Sequence, residues 1–313
     1  MTRSFPAVGR VRIPGGSEFD HAAVHLETGR VFVANTSLGT VEVVDPLASR
    51  LVTSIEDCQG ASGVVVDGAH RLAVAASRAG GHVLLIDVDS LQVVAKIQVG
   101  PAPNGLALDG TGHRLLVADV KNNEALLIDT TKAEVVAQAT LPGRPRWAVH
   151  DPATNRFYLN IASPAQVAAL DPTTLELQAS WKLNAQGPHG LDVDLDRRLL
   201  LVACDDGALL GVNADTGTLA GRLALPGPPD VTFCNPGAGE AYVAVGDAGA
   251  LVVASTRDWK VTATLPTGPG AHTFAFDQAR QLIHLLLPAA EEIVTWAVPG
   301  AGLASVVGDH DSN

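Results

Sequence analysis

One phrase recurs along the chain at intervals of about 42 residues, and that interval constrains the fold more than any other feature. Copies include "APNGLALD" at 102–109, "GPHGLDVD" at 187–194 and "GAHTFAFD" at 270–277. Stepping outward from the polar residue in the middle of each gives His21, Ser62, Asn104, Arg146, His189, Asp230 and His272. The steps are 41, 42, 42, 43, 41 and 42, and seven copies at that spacing leave little room for chance.

Each copy contains the same four pieces. A short apolar run ends near an acid or Asn: Asp67, Asp109, Asp151, Asp194, Asn235, Asp277. After a tight turn comes a second apolar run, such as "VFVAN" or "LLVADV", then a third, such as "VLLIDV", and a shorter fourth, such as "VVAKIQVG". Four strands in about 42 residues, joined by Gly, Pro and Asp turns, are the signature of a β-propeller blade. A helical repeat of that length would show 3.6-residue periodicity and few glycines, whereas this chain has 31 glycines and 19 prolines. The expected fold is therefore all-β: one domain over 1–313, a seven-bladed propeller of four-stranded blades starting near 19, 60, 102, 144, 187, 228 and 270. The seventh copy lacks a fourth strand after "EEIVTWAVPG". The run "AVGRVRIPG" resembles a fourth strand but precedes the first full copy. Residues 7–14 are expected to complete the last blade and close the ring, which would leave no open blade to pair with another chain. Residues 301–313 are expected to be a tail.

The phrases "RVFVANTSLGTVEVVDPLASRLVTSI" and "RLLVADVKNNEALLIDTTKAEVVAQATLPG" resemble the YVTN-type (YncE-like) seven-bladed propellers, and the resemblance covers almost the whole chain. It implies a fold rather than a function, because such propellers include binding scaffolds, lactone-opening enzymes and lyases.

In a propeller the first strand of each blade lines the central channel, so the seven recurring polar positions should form a ring at its mouth. His189, Asp230, His272 and His21 fall on blades five, six, seven and one, which are contiguous after closure. Three imidazoles and a carboxylate on one arc suggest a divalent transition metal: Zn, Mn, Fe, Ni or Cu. The expected metal ligands are His21, His189, His272 and Asp230, with Asp230 also serving as acid/base. Arg146 faces that arc and would hold an anionic group or oxyanion, while Asn104 and Ser62 would complete substrate binding. The resulting expectation is a metal-dependent enzyme, hydrolase (lactonase-like) or lyase, acting on a small polar molecule. The alternative is a non-enzymatic scaffold for a ligand or protein partner. The lactonase variant of the enzyme reading fits less well, since the ring has one acid where lactone-opening propellers have several.

Composition bears on partners and compartment. Lys and Arg number 21 against 33 Asp and Glu, a net charge of −12, and no basic cluster occurs, which speaks against nucleic acid. No run has the length of a membrane helix or a signal-peptide core, and three cysteines without a CxxC make a poor disulfide framework. These features predict a cytoplasmic protein away from membranes. No GxSxG, P-loop or HExxH motif is present.

Overall fold

The middle strands of each repeat are apolar without alternation because both of their faces are covered. In β7 (Leu72–Ser77), Ala73 and Ala75 pack with residues of the first repeat, while Val74 and Ala76 pack with residues of the third. Side chains alternate across a strand, so a strand between two neighbours buries both sets. Outer strands have one covered face and alternate accordingly, as in β13 (Glu134–Thr140), where exposed and half-buried residues succeed one another.

The computed structural model describes residues 4–110 and 113–300. Among these, 28 strands, numbered β1 to β28 in chain order, form seven four-stranded antiparallel sheets. The result is the seven-bladed propeller, with an apolar cluster at each of the seven junctions between blades. The last sheet runs β1–β28–β27 (Leu282–Leu287)–β26 (Phe274–Asp277) and pairs the N-terminal strand with the last described strand of the chain. β1 (Ala7–Arg12) lies antiparallel to β28 (Glu292–Ala297), from Ala7 opposite Trp296 to Arg12 opposite Glu292. The N–H of Ile13 still donates to Glu291 at 2.7 Å, but Pro14 has no N–H to continue the ladder. The expected tail, 301–313, lies outside the described residues. Among the described residues no helix is long and apolar enough to cross a membrane.

The recurring acids are turn devices. At the ends of third strands, Asp87, Asp129 and Asp171 each accept the backbone N–H groups two and three residues on. These Asx turns direct the chain into the fourth strand. At the ends of first strands, Asp151 accepts the N–H two residues on, and Asp194 and Asp277 each accept the N–H three residues on.

The first strands line the channel in chain order: β2 (Phe19–His25), β6 (Ala61–Asp67), β10 (Pro103–Leu108), β14 (Pro145–Asp151), β18 (Pro188–Asp194), β22 (Thr232–Asn235) and β26 (Phe274–Asp277). In the first five, two residues stand opposite one on the second strand, a β-bulge near the start. The bulged pairs are Asp20–His21, Ser62–Gly63, Asn104–Gly105, Arg146–Trp147 and His189–Gly190. Asp230 and His272 precede their shorter strands. A Cβ on Gly63, Gly105 or Gly190 would collide with the carbonyl of Asn104, Arg146 or Asp230 on the next blade. Glycine there lets the inner strands converge.

Candidate functional site

A bulge re-aims a side chain without disturbing the rest of its ladder. Here the first residue of each bulged pair sets the level of the channel mouth. In the first blade that residue is Asp20, not His21, because Phe19 holds the position occupied by Pro103, Pro145 and Pro188 elsewhere. The ring residue expected to be an imidazole is therefore a carboxylate.

The mouth holds a polar cavity of about 170 Å³ bordered by two chains of charged groups. The first crosses blades one to three. Arg78, from the loop after β7, donates to Asp20 at 2.7 Å and to Asn104 at 3.0 Å. Burial acts to raise the Asp20 carboxyl, but His21, Arg78 and His272 outweigh it and hold the group well below the usual carboxylate range. The second chain crosses blades four to seven. Arg146 donates to His189 Nε2 at 3.1 Å and lies 3.6 Å from Asp205. His189 Nδ1 is 3.2 Å from Asp205, and its Nε2 is 3.2 Å from Asp230. Asp230 in turn lies 4.0 Å from His272 Nε2. Burial, then the neighbouring Arg144, lower the Arg146 pKa, while Asp205 and Asp230 act the other way. Asp205 is held low: burial is outweighed by the His189 contact and the two arginines.

Asn104, Arg146, His189, Asp230 and His272 thus meet at one cavity as the repeat implies. Two expected members do not line it. Ser62 is fully buried, and its hydroxyl donates to the carbonyls of Pro103 and Ala76. His21 pairs with Asp20 through Nδ1 at 2.5 Å and stacks on Trp147, ring centroids 3.9 Å apart and 4° from parallel. These rings come from blades one and four, so their stack crosses the channel. Trp147 also lines a second, apolar cavity on the far side.

The arrangement does not fit the three-imidazole metal centre. His21 is committed to Asp20 and Trp147, and the Arg146 guanidinium puts positive charge where His189 Nε2 would meet a cation. Among the described residues no three His, Cys, Asp or Glu side chains are grouped to hold a metal ion. The chemistry available is different: three arginines, Arg78, Arg144 and Arg146, line a pocket with two imidazoles and the acids Glu18, Asp20 and Asp230. The Nε atoms of Arg78 and Arg146 are buried without a hydrogen-bond partner, and among the described residues the Arg144 guanidinium makes no ion pair. Cysteine is not a candidate nucleophile, since burial pushes the Cys58 and Cys204 thiols up to about 12.

Sequence reasoning missed Asp20, Arg78, Arg144 and Trp147. Arg144 and Trp147 carried a signal, "GRPRWAV", which places two arginines and a tryptophan around the ring position of the fourth repeat. Arg78 carried none, because it reaches the mouth from a loop.

No family model matches the chain, and no curated protein matches it. Among solved structures, the chain is similar to Kuenenia stuttgartiensis hydrazine synthase, at 15% sequence identity. The match covers 92% of this chain and 97% of that one, with a TM-score of 0.80. At this identity the likeness is one of propeller fold alone.

Proposed function

We propose that the channel mouth binds a small organic anion, a carboxylate or phosphate ester, between Arg146, Arg144 and Arg78. The convergence of three guanidiniums on one cavity carries the reading, since planar forks match carboxylate and phosphate oxygens. The cavity volume of about 170 Å³ lies below the range for drug-sized ligands, which points to a small metabolite. Asn104 would orient a carbonyl or hydroxyl of the same molecule.

A second reading, catalysis, is favoured by His189. Asp205 fixes its Nδ1, Arg146 donates to its Nε2, and the Asp230 carboxylate lies 3.2 Å from the same nitrogen. A side chain so placed suits the proton transfers of hydrolysis or elimination. The enzyme reading thus keeps Asp230 and Arg146 in the roles the sequence suggests, without a metal.

Calorimetry with inorganic phosphate, acetate, malonate and succinate at low ionic strength tests binding. Arg146→Gln is expected to weaken the best of these between about 10-fold and 100-fold, the worth of charge-assisted hydrogen bonds. If none of the four binds, or if Arg146→Gln binds equally well, the reading fails. Stoichiometric Zn, Mn, Fe, Ni or Cu in protein purified without a His-tag would restore the metal centre in its place.

A further inference from the structure

Three residues beyond the mouth position, each inner strand presents another ring of side chains to the channel. Its members are Ala23, Val65, Ala107, Val149, Phe233 and Ala275 on six blades, and Asp192 on the remaining one. All seven line the apolar cavity, whose volume is about 390 Å³. The His21–Trp147 stack separates it from the polar mouth, and its rim includes Leu26 and Gln278, in the turns after β2 and β26.

Among the described residues, Asp192 is the only Asp, Glu, Lys or Arg that lines this cavity. Its carboxyl is fixed in place: one oxygen accepts from the Val193 N–H at 2.8 Å and the other from the Cys234 N–H at 2.6 Å. Among the described residues no cation is paired with it. Asp194, on the same strand, lies 3.9 Å from Arg197 instead. From the adjacent strands, β14 contributes His150, whose Nε2 is 3.2 Å from Asn155, and β22 contributes the Cys234 thiol, which burial holds in its neutral form. The strands opposite, β2, β6, β10 and β26, contribute only apolar lining. Burial pushes the Asp192 carboxyl up to about 6, against the pull of its two backbone donors. A negative charge is thus held at one point of an apolar bore, with no positive group among the described residues to offset it.

We propose that this lower compartment is a second binding site, separate from the mouth, for a small hydrophobic amine whose ammonium pairs with Asp192 and whose hydrocarbon part fills the bore. The complementarity is of charge and of surface together: the ammonium supplies the missing counter-ion, and the apolar body takes up the surrounding wall.

Phenethylamine and its neutral analogue 2-phenylethanol are the probes, with binding to the full chain measured calorimetrically. At pH 8 the amine is expected to bind at least about 10-fold more tightly than the alcohol. At pH 5 a carboxyl titrating near 6 is about one-tenth ionised, so the amine should weaken by roughly 10-fold and the alcohol should not change. Asp192→Asn should abolish the preference for the amine and keep the binding of the alcohol. His150→Gln should leave the pH dependence in place. If Asp192→Asn does not fold, the amine–alcohol contrast and its pH dependence in the unaltered protein still decide. Equal binding of both probes at pH 8, binding of neither, an amine preference that survives Asp192→Asn, or a pH dependence that vanishes with His150→Gln would each overturn the proposal.

Discussion

The two compartments of the channel are built on the same seven inner strands, three residues apart, yet they have opposite chemistry. The mouth packs guanidiniums, imidazoles and carboxylates around a small polar cavity, and several of them pair across blade boundaries. The bore below is a larger apolar cavity in which, among the described residues, a single carboxylate has no cationic partner. The backbone frame is common to both, so the difference lies in side chains alone. A repeat fixes where a side chain points and leaves its chemistry free. Where the repeat itself varies, it separates the two levels: glycine follows the mouth residue on blades two, three and five, but His21 and Trp147 occupy that place on blades one and four and meet across the channel.

The largest expected effect comes from breaking the ring that supports both compartments. Deleting residues 1–15 removes β1 and the buried side chains of Phe5, Val11 and Ile13, and leaves β28 as an open edge. At about 1.5–3 kcal/mol for each buried side chain, the melting temperature should fall by roughly 10 °C or more. The shortened protein should self-associate through its exposed strand. Calorimetry and light scattering check both outcomes. An unchanged melting temperature in a monomeric protein would show that β1 does not close the ring.

A smaller effect addresses the partition between the compartments. Trp147→Ala should cost about 3 kcal/mol in urea unfolding, the usual range for removing a large, largely buried aromatic. His21→Ala should cost less, and the double variant should lose less than the sum of the two. The expected coupling is about 0.5–1.5 kcal/mol, the worth of a stacked ring pair. Strict additivity would mean that the rings do not meet across the channel.

The fold was legible because its signal is redundant. Seven copies of a four-strand pattern survive the loss of any one, and the missing fourth strand of the last repeat directs attention to residues 7–14. The site was legible only where the local frame repeats. "APNGLALD" and "GPHGLDVD" align without ambiguity through Pro and Gly, so Asn104 and His189 fall where expected. "SEFDHAAVH" has neither residue, and steps of 41 or 42 fit the period equally well. A shift of one residue across a bulge exchanges a mouth carboxylate, Asp20, for a ring that crosses the channel, His21. Arg78 and Arg144 lie outside the strands, where aim depends on tertiary packing. Asp192 carried a readable signal, an acid where the aligned repeats have Ala, Val or Phe, but a single acid in an apolar run also fits an exposed edge until the strands are arranged around the bore.

The smallest effect tests the electrostatic side of the comparison without any ligand. An acid whose pKa is raised on folding binds its proton more tightly in the native state than in the unfolded chain. Stability therefore falls as pH rises from the unfolded value to the folded one, and the loss is complete above the folded pKa. For Asp192 the window runs from 3.8 to about 6. The full shift corresponds to at most roughly 3 kcal/mol, and to less in proportion to the water that reaches the carboxyl. Asp20 and Asp205, held low by their partners at the mouth, act in the opposite sense: they contribute stability that is lost as pH falls below the ordinary carboxylate range. Both are present in the protein and in Asp192→Asn, so their effect cancels in the difference. That difference, from urea melts at pH 4, 5, 6 and 7, should move steadily in favour of Asp192→Asn up to pH 6 and then level off. Its absolute offset will include the backbone hydrogen bond that an amide loses, but the slope reports the carboxyl alone. A difference that does not vary with pH would place Asp192 in water, and the bore would then be apolar in its walls but not in its contents.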